Sequence, residues 1–325
     1  MKPIIINGWD FSPKEYETAW NEGSLLTASI ETSNICNLAC EYCFREEGNV
    51  VSKKRLKKEI SLEDSLNLIS DLAKLGVKTI NIAGAGEPLL DSNLPSMLEK
   101  ISSYDIVPLV ATNGSLIDES WINLFNKTNT SLMIKVNSFN EEKQNVMVHR
   151  KNYSSKRDHA LELLITNEFN LPAIDGSYQT RLSINSLVSK KTISEIPEIF
   201  NYCRKNKIMP CMETYIPAGK TAKQTEDEIS KIEFLKLAEK IRLKDSKNNI
   251  EYMRLWPYLG GVPCTQQGKA SIFINILGDI YDCPAGKQHY GNIKEKSIKN
   301  AFEEIKKTQT NYCLGCPIRD EHYKI

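Results

Sequence analysis

The sequence predicts an α/β fold around a parallel sheet, followed by a smaller C-terminal part of different texture. Short β-rich runs alternate with amphipathic helical stretches from about Leu26 to Tyr215. Strands joined in that way run parallel through right-handed crossovers. Beyond residue 250 the alternation gives way to a hairpin pattern and a scatter of cysteines.

Leu26–Ser33 reads as the first strand, and a helix over Ser61–Leu75 follows, opened by a Ser61-x-x-Asp64 cap. Thr79–Ala83 is the second strand, with a helix over Leu94–Ser103 after it. Ile106–Thr112, Leu132–Asn137, Arg181–Asn185 and Ile208–Tyr215 supply four more strands, interleaved with helical patterns at Ile117–Asn126, Lys156–Asn167 and Ser194–Asn206. Residues 221–250 are charged and helical in period, with Ile229, Ile232, Leu235, Ala238 and Ile241 on one stripe expected to pack on the sheet. Ser271–Cys283 is a hairpin pattern around Leu277-Gly278-Asp279, and a short helix bearing Ile298, Ala301, Phe302 and Ile305 leads into the tail. The expected divisions are an N-terminal extension (1–24), the main α/β unit (25–220), a bridging helix (221–250) and a C-terminal domain (251–325). A doubly wound sheet or a barrel satisfies this pattern, and either binds ligands at the C-terminal ends of its strands.

Composition narrows the function. Lys plus Arg is 42 against 41 Asp plus Glu in 325 residues, so no global field argues for nucleic acid or a membrane surface as partner. The opening Met1-Lys2-Pro3-Ile4-Ile5-Ile6-Asn7-Gly8 breaks its apolar run at once, and no stretch approaches bilayer length. Nine cysteines, odd in number and clustered, read as metal ligands in a reducing compartment, so a cytoplasmic location is expected.

The most specific feature is the run Asn34-Ile35-Cys36-Asn37-Leu38-Ala39-Cys40-Glu41-Tyr42-Cys43-Phe44, just beyond the first strand. Three thiolates this close can hold three corners of a cubane iron–sulfur cluster, leaving the fourth iron open to a small molecule. A zinc site wants four ligands in paired spacing, and His149 and His159 lie far along the chain. A second constellation places Cys264 and Cys283 around Gly278 and ends in the C-x2-C pair Cys313 and Cys316. Four thiolates bind zinc as readily as a [4Fe–4S] cluster, so chemistry alone leaves this site open.

The triplet Cys36, Cys40 and Cys43 resembles the signature of the radical S-adenosylmethionine (SAM) enzymes, whose open iron takes the amino and carboxylate groups of SAM. That resemblance implies a partial (β/α)6 TIM-like barrel. Beside it, the second constellation resembles the SPASM/twitch extension of the same enzymes, nearer the single-cluster twitch form. It implies a small twitch domain, a β-hairpin plus helix, whose auxiliary [4Fe–4S] cluster is held by Cys264, Cys283, Cys313 and Cys316. His322 is read as a tail residue. Together the two resemblances span the chain from about residue 25 to its end.

Other motifs fall where the resemblance expects SAM. Ala83-Gly84-Ala85-Gly86-Glu87-Pro88 is similar to the family's Gly-Gly-Glu-Pro segment, with Ala85 in place of the first paired glycine. The implied contacts are Gly84, Gly86 and Glu87 with the methionyl amino group, and Tyr42 against adenine. Asn113 ends the third strand, Lys135 and Asn137 share one face of the fourth, and Arg181, Ser183 and Asn185 share one face of the fifth. Asn137 is implied to bind the ribose, with Arg181 and Ser183 as ribose or carboxylate contacts. Glu213 and Tyr215 are expected to line the substrate cavity, with Ile216-Pro217-Ala218-Gly219 running past adenine. Glu213 and Asp282 are the candidate bases; related sulfatase-maturing enzymes place an Asp directly after the cysteine that corresponds to Cys283, where this chain has Pro284. Cys203 sits in a helical run and is expected in the core. Cys211 is a candidate hydrogen-atom donor, as a radical epimerase requires. The basic run Lys53, Lys54, Arg55, Lys57, Lys58 reads as a solvated face or a dock for an acidic electron donor of the flavodoxin or ferredoxin type.

The expected activity is reductive cleavage of SAM to a 5′-deoxyadenosyl radical, which takes hydrogen from a substrate C–H bond. The leading substrate class is a small molecule, oxidised by two electrons in natural-product biosynthesis. Peptide maturation by cross-linking, epimerisation or oxidation is the alternative. About 35 residues precede Cys36, too few for a typical N-terminal peptide-recognition domain. A molybdenum-cofactor-type cyclase is disfavoured because its C-terminal cysteine spacing and Gly-Arg-Arg tail are absent. A zinc-stabilised binding protein without catalysis is the reading from another class, and it leaves the SAM-like motifs without purpose.

Overall fold

The computed structural model describes residues 4–9, 11–32, 34–44, 58–173, 178–215, 221, 226–251, 270–286 and 288–308. In chain order the strands are β1 (Ile5–Ile6), β2 (Thr27–Ile30), β3 (Thr79–Ile82), β4 (Val107–Thr112), β5 (Ser131–Lys135), β6 (Gln179–Thr180), β7 (Leu182–Leu187), β8 (Met209–Glu213), β9 (Ser271–Ile274), β10 (Asp279–Tyr281) and β11 (His289–Asn292). The helices are α1 (Pro13–Glu22), α2 (Leu62–Lys74), α3 (Leu94–Ser102), α4 (Glu119–Lys127), α5 (Glu141–Met147), α6 (Tyr153–Thr166), α7 (Ile196–Lys205), α8 (Lys231–Lys247) and α9 (Ile298–Thr308).

Strand order settles the choice between barrel and doubly wound sheet. The main sheet runs β11-β10-β9-β2-β3-β4-β5-β7-β8, and β2 to β8 are all parallel within it. Those six strands lie side by side in sequence order, with no reversal. Right-handed crossovers then put every connecting helix on one face, whereas a doubly wound sheet needs a switch point. The unit is a singly wound, partial (β/α)6 barrel.

The two faces differ in chemistry as that winding requires. Ala28, Ile30, Ile80, Ile82, Val110, Leu132, Ile134, Leu182, Ile184 and Met212 alternate along the strands and are fully buried. They share one core with Leu68 and Leu72 of α2, Leu98 of α3, Phe125 of α4, Leu164 of α6 and Ile199 of α7. Burying a large aliphatic side chain contributes about 1.5–3 kcal/mol, so this face fixes the register. The opposite parity carries Ser29, Asn81, Ala111, Met133, Lys135, Asn185, Cys211 and Glu213, which face the concave side.

Helix ends follow local sequence. Ser61 and Asp64 form the expected capping box at α2, with Ser61 N donating to Asp64 Oδ2 at 2.9 Å and Asp64 N to Ser61 Oγ at 3.1 Å. In α8 the buried side chains are Phe234, Leu237, Ala238, Ile241 and Asp245, whereas Ile232 and Leu235 are 65% and 46% exposed. The stripe read from sequence is therefore rotated. Phe234 anchors the buried face, and the Asp245 carboxylate goes under because Arg204 of α7 grips both its oxygens, at 3.0 and 2.5 Å. Cys203 of α7 is fully buried in the core, as expected.

The floor of the barrel is closed by the N-terminal segment. β1 pairs in parallel with β6, Asn7 O accepts from Ser131 Oγ at 2.9 Å, and Ile6 is fully buried. The concave face thus opens toward the C-terminal ends of the strands. At the other edge, β9 runs parallel to β2, and β10 and β11 continue antiparallel. The hairpin expected from Ser271–Cys283 adds directly to the barrel sheet. No helix among the described residues is long and apolar enough to cross a membrane.

Candidate active site at the strand C-termini

Cys36, Cys40 and Cys43 lie on the loop beyond β2, half-buried and not in disulfides. Neighbouring strand tips and α5 hold this loop. Glu87 N donates to Ile35 O at 2.8 Å, while Ala39 N and Glu41 N each donate at 3.1 Å, to Val148 O and Met147 O at the end of α5. Asn37 Nδ2 donates to Ser115 Oγ and its Oδ1 accepts from Asn113 Nδ2, both at 2.9 Å. Leu38, Val148 and Tyr153 form a small apolar cluster against which Cys36, Cys40 and Tyr42 pack. Burial pushes the Cys40 thiol up to about 12, with further upward pressure from Cys43 and Cys36. A thiol so shifted gives up its proton when a cation takes its charge. No three His, Cys, Asp or Glu side chains among the described residues close on a single metal ion. A cluster whose irons take one thiolate each asks for no such convergence.

The Gly84–Pro88 turn crosses the mouth beside this loop. Glu87 is 2% exposed, and its carboxylate accepts from Thr112 Oγ1 at 2.5 Å, Asn113 N at 2.9 Å and Leu89 N at 3.2 Å. Burial raises its pKa against the pull of those three bonds. Glu87 therefore ties the turn after β3, which holds Gly84 and Gly86, to the tip of β4.

On the concave face, Lys135 Nζ donates to Asn185 Oδ1 at 2.5 Å and sits 5.5 Å from the Tyr42 ring centroid. Burial pulls its ammonium below the ordinary lysine value, opposed by Glu213 and Cys211 across the barrel. Asn185 Nδ2 lies 4.0 Å from Cys211 Sγ, whose thiol is pushed up by burial and by Glu213. The structure thus brings together Tyr42, Lys135, Asn185, Cys211 and Glu213. Asn137, at the tip of β5, is fully buried; its Oδ1 accepts from Leu187 N at 2.8 Å and its Nδ2 meets no acceptor among the described residues.

Three predicted residues are not brought to the mouth. Arg181 has the right parity but precedes β7, about 20 Å below the strand tip at Leu187. Its guanidinium donates to Phe125 O and Asn126 Oδ1 and stacks 3.9 Å from the Phe169 centroid. Ser183 is buried low in β7, donating to Met209 O at 2.9 Å. Asp282 follows β10, which runs antiparallel to β9, so the chain there heads back toward the N-terminal end of β2. Cys283 follows it in the same turn. Cys264, Cys313, Cys316, His322, residues 53–57 of the basic run and Ile216–Gly219 lie outside the described residues.

Sequence reading missed Gln144 and Tyr153. The Tyr153 hydroxyl donates to Asn113 O at 2.9 Å and to Lys135 O at 3.3 Å, bridging the tips of β4 and β5. Tyr153 acts on backbone 18 and 40 residues away, and Gln144 acts on backbone six and seven residues back from a helix with no apolar period, so no sequence pattern flags either.

A partial barrel that crowds three thiols beside a glycine-rich turn at its mouth defines an iron–sulfur enzyme class. The family model of the Radical SAM superfamily matches residues 30–176, which take in the cysteine loop, the Gly84–Pro88 turn and the tips of β4 and β5. Residues 30–176 thus form a radical SAM domain, and SAM and a [4Fe–4S] cluster are the cofactors that such a domain implies. A probable GTP 3′,8-cyclase of Methanococcus maripaludis is 26% identical over 202 residues, 61% of this chain and 61% of that protein. The matched part thus spans about six tenths of that relative's length. Streptococcus suis SuiB bound to its precursor peptide SuiA superposes with a TM-score of 0.67 at 15% identity, over 96% of this chain and 70% of that one. The anSMEcpe structure with bound AdoMet and Cp18Cys peptide gives 0.64 at 18% identity, over 87% and 82%. At these identities the likeness is one of fold.

Proposed function

We propose that the chain oxidises a polar small molecule by two electrons after hydrogen-atom abstraction. The supporting observation is the polar cluster of Lys135, Asn185, Cys211 and Glu213 on the concave face, with Lys135 against Tyr42 of the cysteine loop. A half-buried ammonium and carboxylate on the concave face suit a substrate rich in hydroxyl or amino groups. Cys36, Cys40 and Cys43 would hold the [4Fe–4S] cluster. The Gly84–Gly86 backbone and the neighbouring Glu87 and Asn113 would face the methionyl end of SAM, Tyr42 the adenine, and Asn137 Nδ2 a ribose oxygen. Cluster and SAM together supply a 5′-deoxyadenosyl radical, with methionine as the other product. Lys135 and Asn185 would orient the substrate so that one carbinol C–H faces that radical. Glu213 would take the hydroxyl proton as the carbon gives up its remaining electron and the C–O bond becomes a carbonyl. The electron acceptor in this reading is an auxiliary [4Fe–4S] cluster on Cys264, Cys283, Cys313 and Cys316, and a flavodoxin- or ferredoxin-type donor reduces the first cluster.

Glu213→Gln is expected to bind SAM and form 5′-deoxyadenosine as the wild-type chain does, while oxidised product falls by at least about 100-fold. Unchanged product formation removes Glu213 from the reaction. A peptide substrate is the second reading, favoured by the peptide-bound structures of SuiB and anSMEcpe that share this fold. The cyclase relative makes GTP a further small molecule to assay.

A further inference from the structure

We infer that Gln144 is a positioning residue for the SAM site, and that α5 is the bracket through which it acts. The inference rests on the reading that Asn137 faces SAM. Gln144 is fully buried on a helix of only seven residues, and its Oε1 accepts two backbone bonds, from Asn137 N at 2.8 Å and Ser138 N at 3.0 Å. Those two N–H groups lie just beyond the end of β5, so Gln144 supplies the acceptor that a continuing strand would have provided. The two bonds also fix which way Gln144 points: its oxygen faces the backbone, and its Nε2 meets no acceptor among the described residues.

Asn137 is oriented by the same logic. With its backbone N–H held by Gln144 and its Oδ1 held by Leu187 N, its side-chain amide can turn only Nδ2 toward a ligand, so it binds as a donor to an acceptor oxygen. The far end of α5 does the other half of the work. Met147 O and Val148 O accept from Glu41 N and Ala39 N, two residues of the cysteine loop. Asn140 caps the helix start, its Oδ1 accepting from Lys143 N at 2.9 Å. One short, capped helix therefore spans from the loop that would carry the cluster to the residue that would hold the nucleoside. Its length sets their separation, and Gln144 is its only side-chain hold on the tip of β5 among the described residues.

The acceptor oxygen is the part of Gln144 that this role uses, and the amide nitrogen is idle. Gln144→Glu keeps the acceptor, whereas Gln144→Leu keeps the volume and leaves two N–H groups unmet. The test uses full-length reconstituted chains with SAM as the probe, binding measured by titration calorimetry, and backbone amide exchange of the 137–138 segment measured on the same chains without SAM. Gln144→Leu is expected to weaken SAM by about tenfold or more with iron content unchanged, and to speed exchange at 137–138. Gln144→Glu is expected to stay within about threefold of wild type in both measurements. Wild-type affinity in Gln144→Leu, or loss in Gln144→Glu equal to that in Gln144→Leu, overturns the inference. Asn137→Ala separates this outcome from failure of the underlying reading. If it too binds SAM at full strength, Asn137 does not face SAM; if it weakens binding while Gln144→Leu does not, only the positioning role falls.

Discussion

Cys40→Ala is expected to reduce 5′-deoxyadenosine formation to background and to remove about four irons per chain, with the fold intact. The magnitude follows from position. Cys40 is the middle thiol of the triplet, packed against the apolar cluster of Leu38, Val148 and Tyr153, and its neighbours cannot shift to replace it. Ala39 N and Glu41 N on either side are both bonded to the end of α5, so the loop has no slack with which to recruit another ligand. Cys36→Ala and Cys43→Ala should behave alike. Cys203→Ala is the control: that thiol is fully buried in α7 among aliphatic neighbours, and its loss should lower stability while leaving iron and SAM cleavage unchanged. Iron content and product assays on the four variants check the contrast. Full iron in Cys40→Ala would show that the triplet does not carry the cluster.

Gly84→Ala should be nearly as damaging, for a steric reason. Gly84 has φ +132°, a conformation that L side chains rarely adopt, and a Cβ there would stand 2.4 Å from Glu31 Cγ and 2.9 Å from its Oε1. Glu31 cannot swing aside freely, since it is 8% exposed and its Oε2 accepts from Ile276 N in the turn between β9 and β10. Relief means moving the turn that precedes Glu87 or breaking the link from β2 to the C-terminal hairpin. A destabilisation of about 2–4 kcal/mol is expected, with SAM binding weakened by at least about tenfold. Ala85→Gly, in the same turn, should change SAM affinity little. Thermal melts and SAM titrations distinguish the two. A Gly84→Ala chain that melts and binds as wild type would contradict the placement of this turn.

What could be read from the sequence was whatever the chain writes locally. The cysteine triplet spans eight residues, and the outward parity of the six strands is almost unbroken aliphatic, so both are plain in the text. The failures share a cause. Arg181 has inward parity, but parity says nothing of height along a strand, and β7 begins one residue after it. Asp282 sits beside a cysteine of interest, but the hairpin reverses direction and carries it off. Asp245 is a charge that α8 buries because Arg204 waits for it, and a hydrophobic stripe cannot register such a pairing. Helix α5 was invisible because its buried side chains are Gln144 and Met147, while Val146 is 62% exposed. A helix whose inward face carries a glutamine has no apolar period to detect.

The central claim is that this chain is an iron–sulfur enzyme that opens SAM. The most direct test is the iron and sulfide content of the anaerobically reconstituted wild-type chain, together with 5′-deoxyadenosine formed from SAM under dithionite. About eight irons per chain and measurable 5′-deoxyadenosine are predicted. About four irons with bound zinc would leave the initiating cluster in place and remove the auxiliary one. No iron and no SAM cleavage, in protein shown to be folded, would contradict the claim outright.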